Sequence, residues 1–227
     1  ILEGYNNTIV NSTFYECGRY GIKVSGGSRK TLQPSGIRLV NNTIWNYARI
    51  IRTYQAAIDF RGVGMYVANN TISQGPHTAI TGRGAEHLFE YNTISNVSYE
   101  CTDTGAFYVG RSWAQRGNVV RFNVFDTIQA KEKLAQLTNS QVAFYLDDQM
   151  SGWDFYGNTI RNSNTGILIG GGRHNTIHSN YFQHNDVDIA FDNRGMTWQN
   201  LFCQRHCDAS IVGTSKCFYE GLHDVNY

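Results

Sequence analysis

Asn158-Thr159-Ile160-Arg161-Asn162-Ser163-Asn164-Thr165-Gly166-Ile167-Leu168-Ile169-Gly170 is followed, 22 residues on, by Asn180-Tyr181-Phe182 and then by Asp188-Ile189. Two signals share that interval: an Asn-x-apolar triplet, and a small or polar residue followed by an apolar one and then alternation. Alternation of that kind marks a strand with one buried face. Two registers with one period describe a coil that returns to the same place on each turn. Twenty-two residues are too few for a strand-helix-strand crossover with its loops, and too few for a propeller blade of about 40–45 residues.

The pattern extends outward in both directions. Asn follows a short strand-like run at Asn7, Asn42, Asn70, Asn92, Asn123, Asn158, Asn180 and Asn200, in steps of 35, 28, 22, 31, 35, 22 and 20. The second signal recurs at Gly21-Ile22, Ala57-Ile58, Ala79-Ile80, Ala106-Phe107, Ala143-Phe144, Gly166-Ile167 and Asp188-Ile189. This is the sequence of an all-β right-handed parallel β-helix: a solenoid of about eight rungs stacked ~4.8 Å apart. The repeated Asn form a ladder at one corner, each amide bonding turn backbone and the amide one rung away. The repeat spans residues 1–203, and 204–227 reads as a non-repetitive C-terminal cap. The N-terminus opens inside the repeat, so an unseen segment, an adjoining domain or a second copy stacked end to end is expected before Ile1.

Composition agrees. Of 227 residues, 41% are hydrophobic and 16% charged, with 23 Gly and 2 Pro. Nineteen Lys and Arg against 18 Asp and Glu leave a net charge of +1, which excludes the concentrated basic face of a nucleic-acid binder. No apolar run approaches the ~20 residues of a membrane span. Neither an initiator Met nor a signal peptide opens the chain, which reads as a mature product or an excised segment.

Cys203, Cys207 and Cys217 cluster in the cap, where a disulfide is favoured over zinc because the spacing with His206 fits no common zinc site. Asn-x-Ser/Thr acceptors stand at Asn6, Asn11, Asn41, Asn69 and Asn96. The Asn-Asn-Thr triplets among them follow from the ladder, whereas Asn11 and Asn96 are less explained by it. Together with the cysteines they point to a secreted, extracellular glycoprotein.

Stacked rungs let columns be read directly. Aligned on Ile58, Ile80, Phe107, Phe144, Ile167 and Ile189, the strands present one outward column of Asp59, Thr81, Tyr108, Tyr145, Leu168 and Ala190. The next holds Arg61, Arg83, Gly110, Asp147, Gly170 and Asp192. Tyr108 and Tyr145 are thus expected as stacked, solvent-facing rings, with space around Asp147 between two glycines. Exposed aromatics beside carboxylates suit sugar binding, although a tyrosine stack that only stabilises a sheet has the same pattern. Insertions leave the coil just before these strands. The first carries Glu100 and Asp103, and the loop after Tyr108 carries Arg111, Trp113 and Arg116. Arg173 and His174 follow three glycines at a nearby corner. His77, His178 and His184 lack ligand spacing and read as surface polar residues.

Asp103-Thr104-Gly105-Ala106-Phe107-Tyr108-Val109-Gly110-Arg111, Arg116-Gly117-Asn118-Val119-Val120-Arg121-Phe122-Asn123, Tyr145-Leu146-Asp147-Asp148 and Gly166 to Asn175 resemble secreted right-handed β-helix proteins of the pectin-lyase-like superfamily. They are similar to carbohydrate-active β-helix enzymes such as glycoside hydrolase family 141. The resemblance, over about Glu86 to Asp186, implies hydrolysis of a polysaccharide or glycan without a cofactor. It makes Asp103 and Asp147 the carboxylate pair, with Asp148 next. Tyr108, Tyr145, Arg111, Trp113, Arg116, Arg173, His174 and Glu100 then form the substrate-binding set. A polysaccharide lyase, for which calcium would be possible, is the nearest enzymatic rival, but the acidic cluster of that class is missing and no metal site is expected. A non-catalytic structural or sugar-binding module, in a filament or matrix, is the alternative from another class.

Overall fold

The computed structural model describes residues 1–131 and 140–197. The coils stack into three parallel sheets. Sheet A has eight strands: Leu2–Glu3, Ile22–Gly26, Ile58–Val63, Ile80–Ala85, Thr104–Gly110, Gln141–Asp147, Thr165–Gly170 and Val187–Asp192. Sheet B stacks seven short strands from Thr8–Val10 to Thr176–His178, and sheet C seven from Thr13–Tyr15 to Tyr181–Gln183. Each strand pairs only with its counterparts one coil before and after, which makes the molecule a parallel β-helix of seven coils and an eighth sheet-A strand. The run before each Asn is sheet B, the Asn-x-apolar triplet is sheet C, and the second signal is sheet A.

Inward-facing residues of all three sheets form one core along the axis. Phe60, Phe89, Phe107, Phe144, Phe155 and Trp153 are fully buried at its centre. Phe144 stacks on Phe155 with centroids 4.2 Å apart, and Phe89 meets Phe107 edge-on at 4.9 Å. Rings of neighbouring coils therefore continue one another, and each contributes roughly 1.5–3 kcal/mol of burial.

The corners explain the recurrent polar residues. Each coil turns through three left-handed positions, occupied for example by Asn6, Gly36 and Gly64; by Asn11, Asn41 and Asn69; and by Glu16, Asn46 and Asn96. Only Gly and, among side-chain-bearing residues, Asn and Asp visit this region readily. All five sequon asparagines sit at such corners, with φ between +50° and +55°. Backbone geometry accounts for Asn11 and Asn96 as fully as for the others, so these triplets lose their weight as a sign of glycosylation.

The ladder itself follows each B–C corner. Asn42 Nδ2 donates to Asn70 Oδ1 at 3.0 Å and to the Ile9 carbonyl at 3.0 Å, while Asn70 Oδ1 also accepts the Asn42 N–H at 2.9 Å. The pattern recurs through Asn92, Asn123, Asn158 and Asn180. Asn7 is not its first member. Ser12 takes that place, its N–H donating to Asn42 Oδ1 at 3.1 Å, and Asn7 precedes sheet B. Asn7 misleads because it also opens an Asn-Thr-Ile triplet. A second polar column at that A–B corner escaped the sequence reading. Asn118 and Asn175 accept the N–H of His87 and of Trp153, and His87 Nδ1 accepts that of Met65.

Asn200, the cap at 204–227 and the cysteines Cys203, Cys207 and Cys217 lie outside the described residues. Cys17 and Cys101 are free thiols. No helix among the described residues is long and apolar enough to cross a membrane.

Candidate functional site

Sheet A carries the site on its outward face. The expected register holds where it matters: Tyr108 pairs with Tyr145, Gly110 with Asp147, and Gly170 with Asp192. What differs is exposure. Asp147 is only 4% exposed and Tyr145 5%, because both glycine gaps are filled. The Tyr108 hydroxyl bends over Gly110 and donates to Asp147 Oδ2 at 2.7 Å. A Cβ on Gly110 would stand 3.4 Å from that hydroxyl and 3.3 Å from the Asp147 Cβ. On the other side the Arg194 guanidinium lies over Gly170, where a Cβ would come within 2.8 Å of its Cζ. The tyrosines do not stack face to face either; their rings meet edge-on at 5.3 Å and 89°.

Arg194 sits in the short 3₁₀ turn Arg194–Met196 after the last sheet-A strand. Its Nη1 donates to Asp147 Oδ1 at 2.7 Å and to Asp148 Oδ1 at 3.2 Å, and Asp192 grips Nε and Nη2. The bonds to Asp192 push the Arg194 pKa up and hold the Asp192 carboxyl below the usual range. Arg111 closes the opposite side, with Nη2 2.9 Å from Asp148 Oδ2. Adjacent strand residues normally point to opposite faces. Here the strand ends at Asp147, and Asp148 and Gln149 take φ of +40° and +62°. That turn brings both carboxylates onto Arg194 without a bulge. Neither Arg194 nor Asp192 is among the candidate site residues of the sequence. Asp192 stood in the right column, but Arg194 lies 47 residues from Asp147, on a turn without a repeat.

Tyr145, on the strand that ends in Asp147, reaches the other candidate carboxylate. Its hydroxyl donates to Asp103 Oδ1 at 3.1 Å. Burial and the charges of Asp147 and Asp103 raise its pKa well above tyrosine's ordinary value. Burial and the Asp147 charge do the same to Tyr108. Asp103 is exposed, at a left-handed φ of +50°, and no ion pair ties it among the described residues.

The other candidates divide. Trp113 and Arg173 meet each other at the adjoining corner, the guanidinium 4.3 Å from the ring centroid. The Ser151 N–H to Ser112 carbonyl bond and the Arg173 N–H to Ser151 Oγ bond, both 3.0 Å, align three successive coils there. Glu100 belongs to a different cluster, bonded to Arg52 Nη2 at 2.6 Å and 3.5 Å from Lys131 Nζ. Arg116 is exposed and contributes its carbonyl to the Glu86 N–H. His174, with φ of +56°, holds the corner position that Gly152 holds one coil earlier, so its place is explained by the turn. His77 is buried rather than a surface residue, bonded to Thr78 Oγ1 at 3.1 Å, and burial lowers its pKa to about 4. Among the described residues no group of three or more His, Cys, Asp or Glu gathers to hold a metal ion.

No curated protein and no solved structure matches the chain. A family model described as "Right handed beta helix region" matches residues 1–182, nearly all the described coils, and the chain belongs to that family of right-handed β-helix proteins.

Proposed function

We propose that the protein is an extracellular glycoside hydrolase acting on a polysaccharide, with Asp103 and Asp147 as its carboxylate pair. The family and the three stacked sheets support a polysaccharide-active or structural protein. The observation that favours hydrolysis is a pair of neighbouring tyrosines that hold two aspartates, Tyr145 bonded to the solvent-exposed Asp103 and Tyr108 to the buried Asp147. In this reading Asp103, open to solvent, protonates the leaving glycosidic oxygen. Asp147 is the second carboxylate, oriented by Tyr108 and Arg194. Trp113, with Arg173 beside it, offers an aromatic surface to a neighbouring sugar.

One observation favours a non-catalytic structural module instead: Asp147 and Asp148 are enclosed by Arg194 and Arg111, as in an ion-pair network that fastens coil ends. Reducing-end release from plant, algal and bacterial polysaccharides separates the two. The hydrolase reading expects release by the parent and none by Asp103→Asn or Asp147→Asn, with Asp103→Asn melting as the parent does. No release from any substrate, or full release by both variants, overturns it.

A further inference from the structure

On the N-terminal side of the tyrosine–aspartate cluster, Arg61 and Arg83 are register partners on adjacent sheet-A strands and project from the same face. Adjacent strands stand ~4.8 Å apart, and like charges directly opposite one another destabilise a sheet. Nothing among the described residues offsets this for Arg83: its side chain is exposed and has no ion-pair or hydrogen-bond partner. The Arg61 side chain is 53% exposed, and its one acidic neighbour is Asp59 at 3.6 Å. Asp59 is shared with Lys23 at 3.7 Å. Two cations thus share one carboxylate and Arg83 has none, in a chain whose charges otherwise nearly balance.

The surroundings leave room for a ligand. Gly62 and Gly84, also register partners, follow the two arginines and place no side chain beside them. Their φ values of +127° and +143°, with neighbouring carbonyls under 2 Å from a would-be Cβ, admit only glycine. Sheet pairing toward the cluster ends at Ile80–Phe107 and Thr81–Tyr108. Arg83 lies beyond the last of these pairs, one coil from Gly110 and two from Asp147.

We propose that Arg61 and Arg83 form a subsite for the anionic groups, carboxylate or sulfate, of an acidic polysaccharide lying along sheet A. The assignment rests on the polysaccharide-active reading above, though not on hydrolysis. Guanidinium forks match both anions in a bidentate way. Two arginines fall far short of the extended basic face that nucleic acid requires.

The test is calorimetric binding to the intact protein of four probes: a uronate oligosaccharide, a sulfated galactan oligosaccharide, a neutral glucan and a single-stranded oligonucleotide. Arg61→Gln, Arg83→Gln and the double variant are compared with Arg38→Gln, a cation on sheet B. At least one acidic oligosaccharide binds, and which one identifies the anion. Each single variant weakens it by about tenfold or more, the double variant abolishes binding, and Arg38→Gln stays within about twofold. With no ligand, Arg83→Gln melts no lower than the parent, since it relieves the like-charge contact. Equal loss in Arg38→Gln, equal affinity for the oligonucleotide, or failure of both acidic probes overturns the subsite. Cleavage of a neutral glycan unaffected by the arginine variants would sink the subsite and keep the hydrolase; acidic binding without cleavage would do the reverse.

Discussion

The Asn ladder and the Asp147 cluster are both columns of polar groups stacked along the same axis, and they are built on opposite plans. In the ladder one residue type recurs coil after coil, each amide satisfied by its neighbour and by backbone. At Asp147 each coil contributes something different: Tyr108 and Arg111 from one, Asp147 and Asp148 from the next, a bare Gly170 from the third, Asp192 and Arg194 from the fourth. A repeated polar residue solves a problem every coil has, the corner. An unrepeated set solves a problem only that place has. In a solenoid, departure from the repeat is thus a better pointer to chemistry than polarity itself.

The largest test of that distinction concerns activity. Asp103→Asn is expected to lower kcat by about 10²–10⁴-fold while the melting temperature moves by no more than about 1 °C, as for other exposed substitutions. A large drop in stability would place Asp103 with the ladder as a structural group.

Asn123→Ala should show the converse. It strips the Asn92 amide and backbone N–H of their acceptor and the Phe89 carbonyl of its donor. At ~1–3 kcal/mol for each buried orphan, a loss of about 3–5 kcal/mol is expected by chemical denaturation, with activity per folded molecule unchanged. Reduced activity in the folded fraction would show that the two columns are coupled.

The A–B corner gives a pH-dependent version. His87 stands where Asn118 stands one coil later, and burial lowers its pKa to about 3. The unfolded chain takes up a proton near pH 6.5 and the folded chain does not, so stability is complete above that pH and declines as pH falls toward 3. By pH 5 the loss is about 2 kcal/mol for His87, and His77 adds a similar share. His87→Asn, which restores the residue that position uses elsewhere, should remove the His87 share of the acid sensitivity. An unchanged slope of stability against pH between 5 and 7 would contradict this.

Gly110→Ala carries the smallest expected effect, about 1 kcal/mol of stability, because its Cβ would press on Asp147 at 3.3 Å and only touch the Tyr108 hydroxyl at 3.4 Å. The phenol of Tyr108, followed by ultraviolet titration, should stay well above its ordinary value, since burial is the main cause of its shift. A titration that falls to the ordinary value would mean that the glycine gap itself holds the hydroxyl in place.

Most of the scaffold was legible in the sequence because its rules are local and repeated. The sheet-A register from Ile58 to Ile189 follows from period two and a small residue before each apolar one, and the ladder from Asn42 to Asn180 follows from one triplet. Asn7 went astray because the triplet alone does not distinguish the start of sheet B from the start of sheet C. The site was legible only in outline. Tyr108, Tyr145 and Asp147 lie on regular strands and could be placed by counting. Their enclosure depends on Arg194, which reaches back two coils, and on the turn at Asp148, which no periodicity encodes. Glu100 shares a loop with Asp103, yet Arg52, 48 residues earlier, holds it elsewhere.

The limited pairing between Ile80–Ala85 and Thr104–Gly110 has a mechanical side. A pull along the long axis loads the coil boundaries in series, so the boundary with the fewest parallel bonds gives way first. On sheet A the Ile58 and Ile80 strands share six register pairs, Ile80–Ile58 through Ala85–Val63, whereas the Ile80 and Thr104 strands share two. Within sheet A only the first boundary, Leu2–Glu3 against Ile22–Gly26, shares as few, so under tension the interior of the sheet parts first beside Thr81, drawing Arg61 and Arg83 away from the aspartates while the chain still joins them.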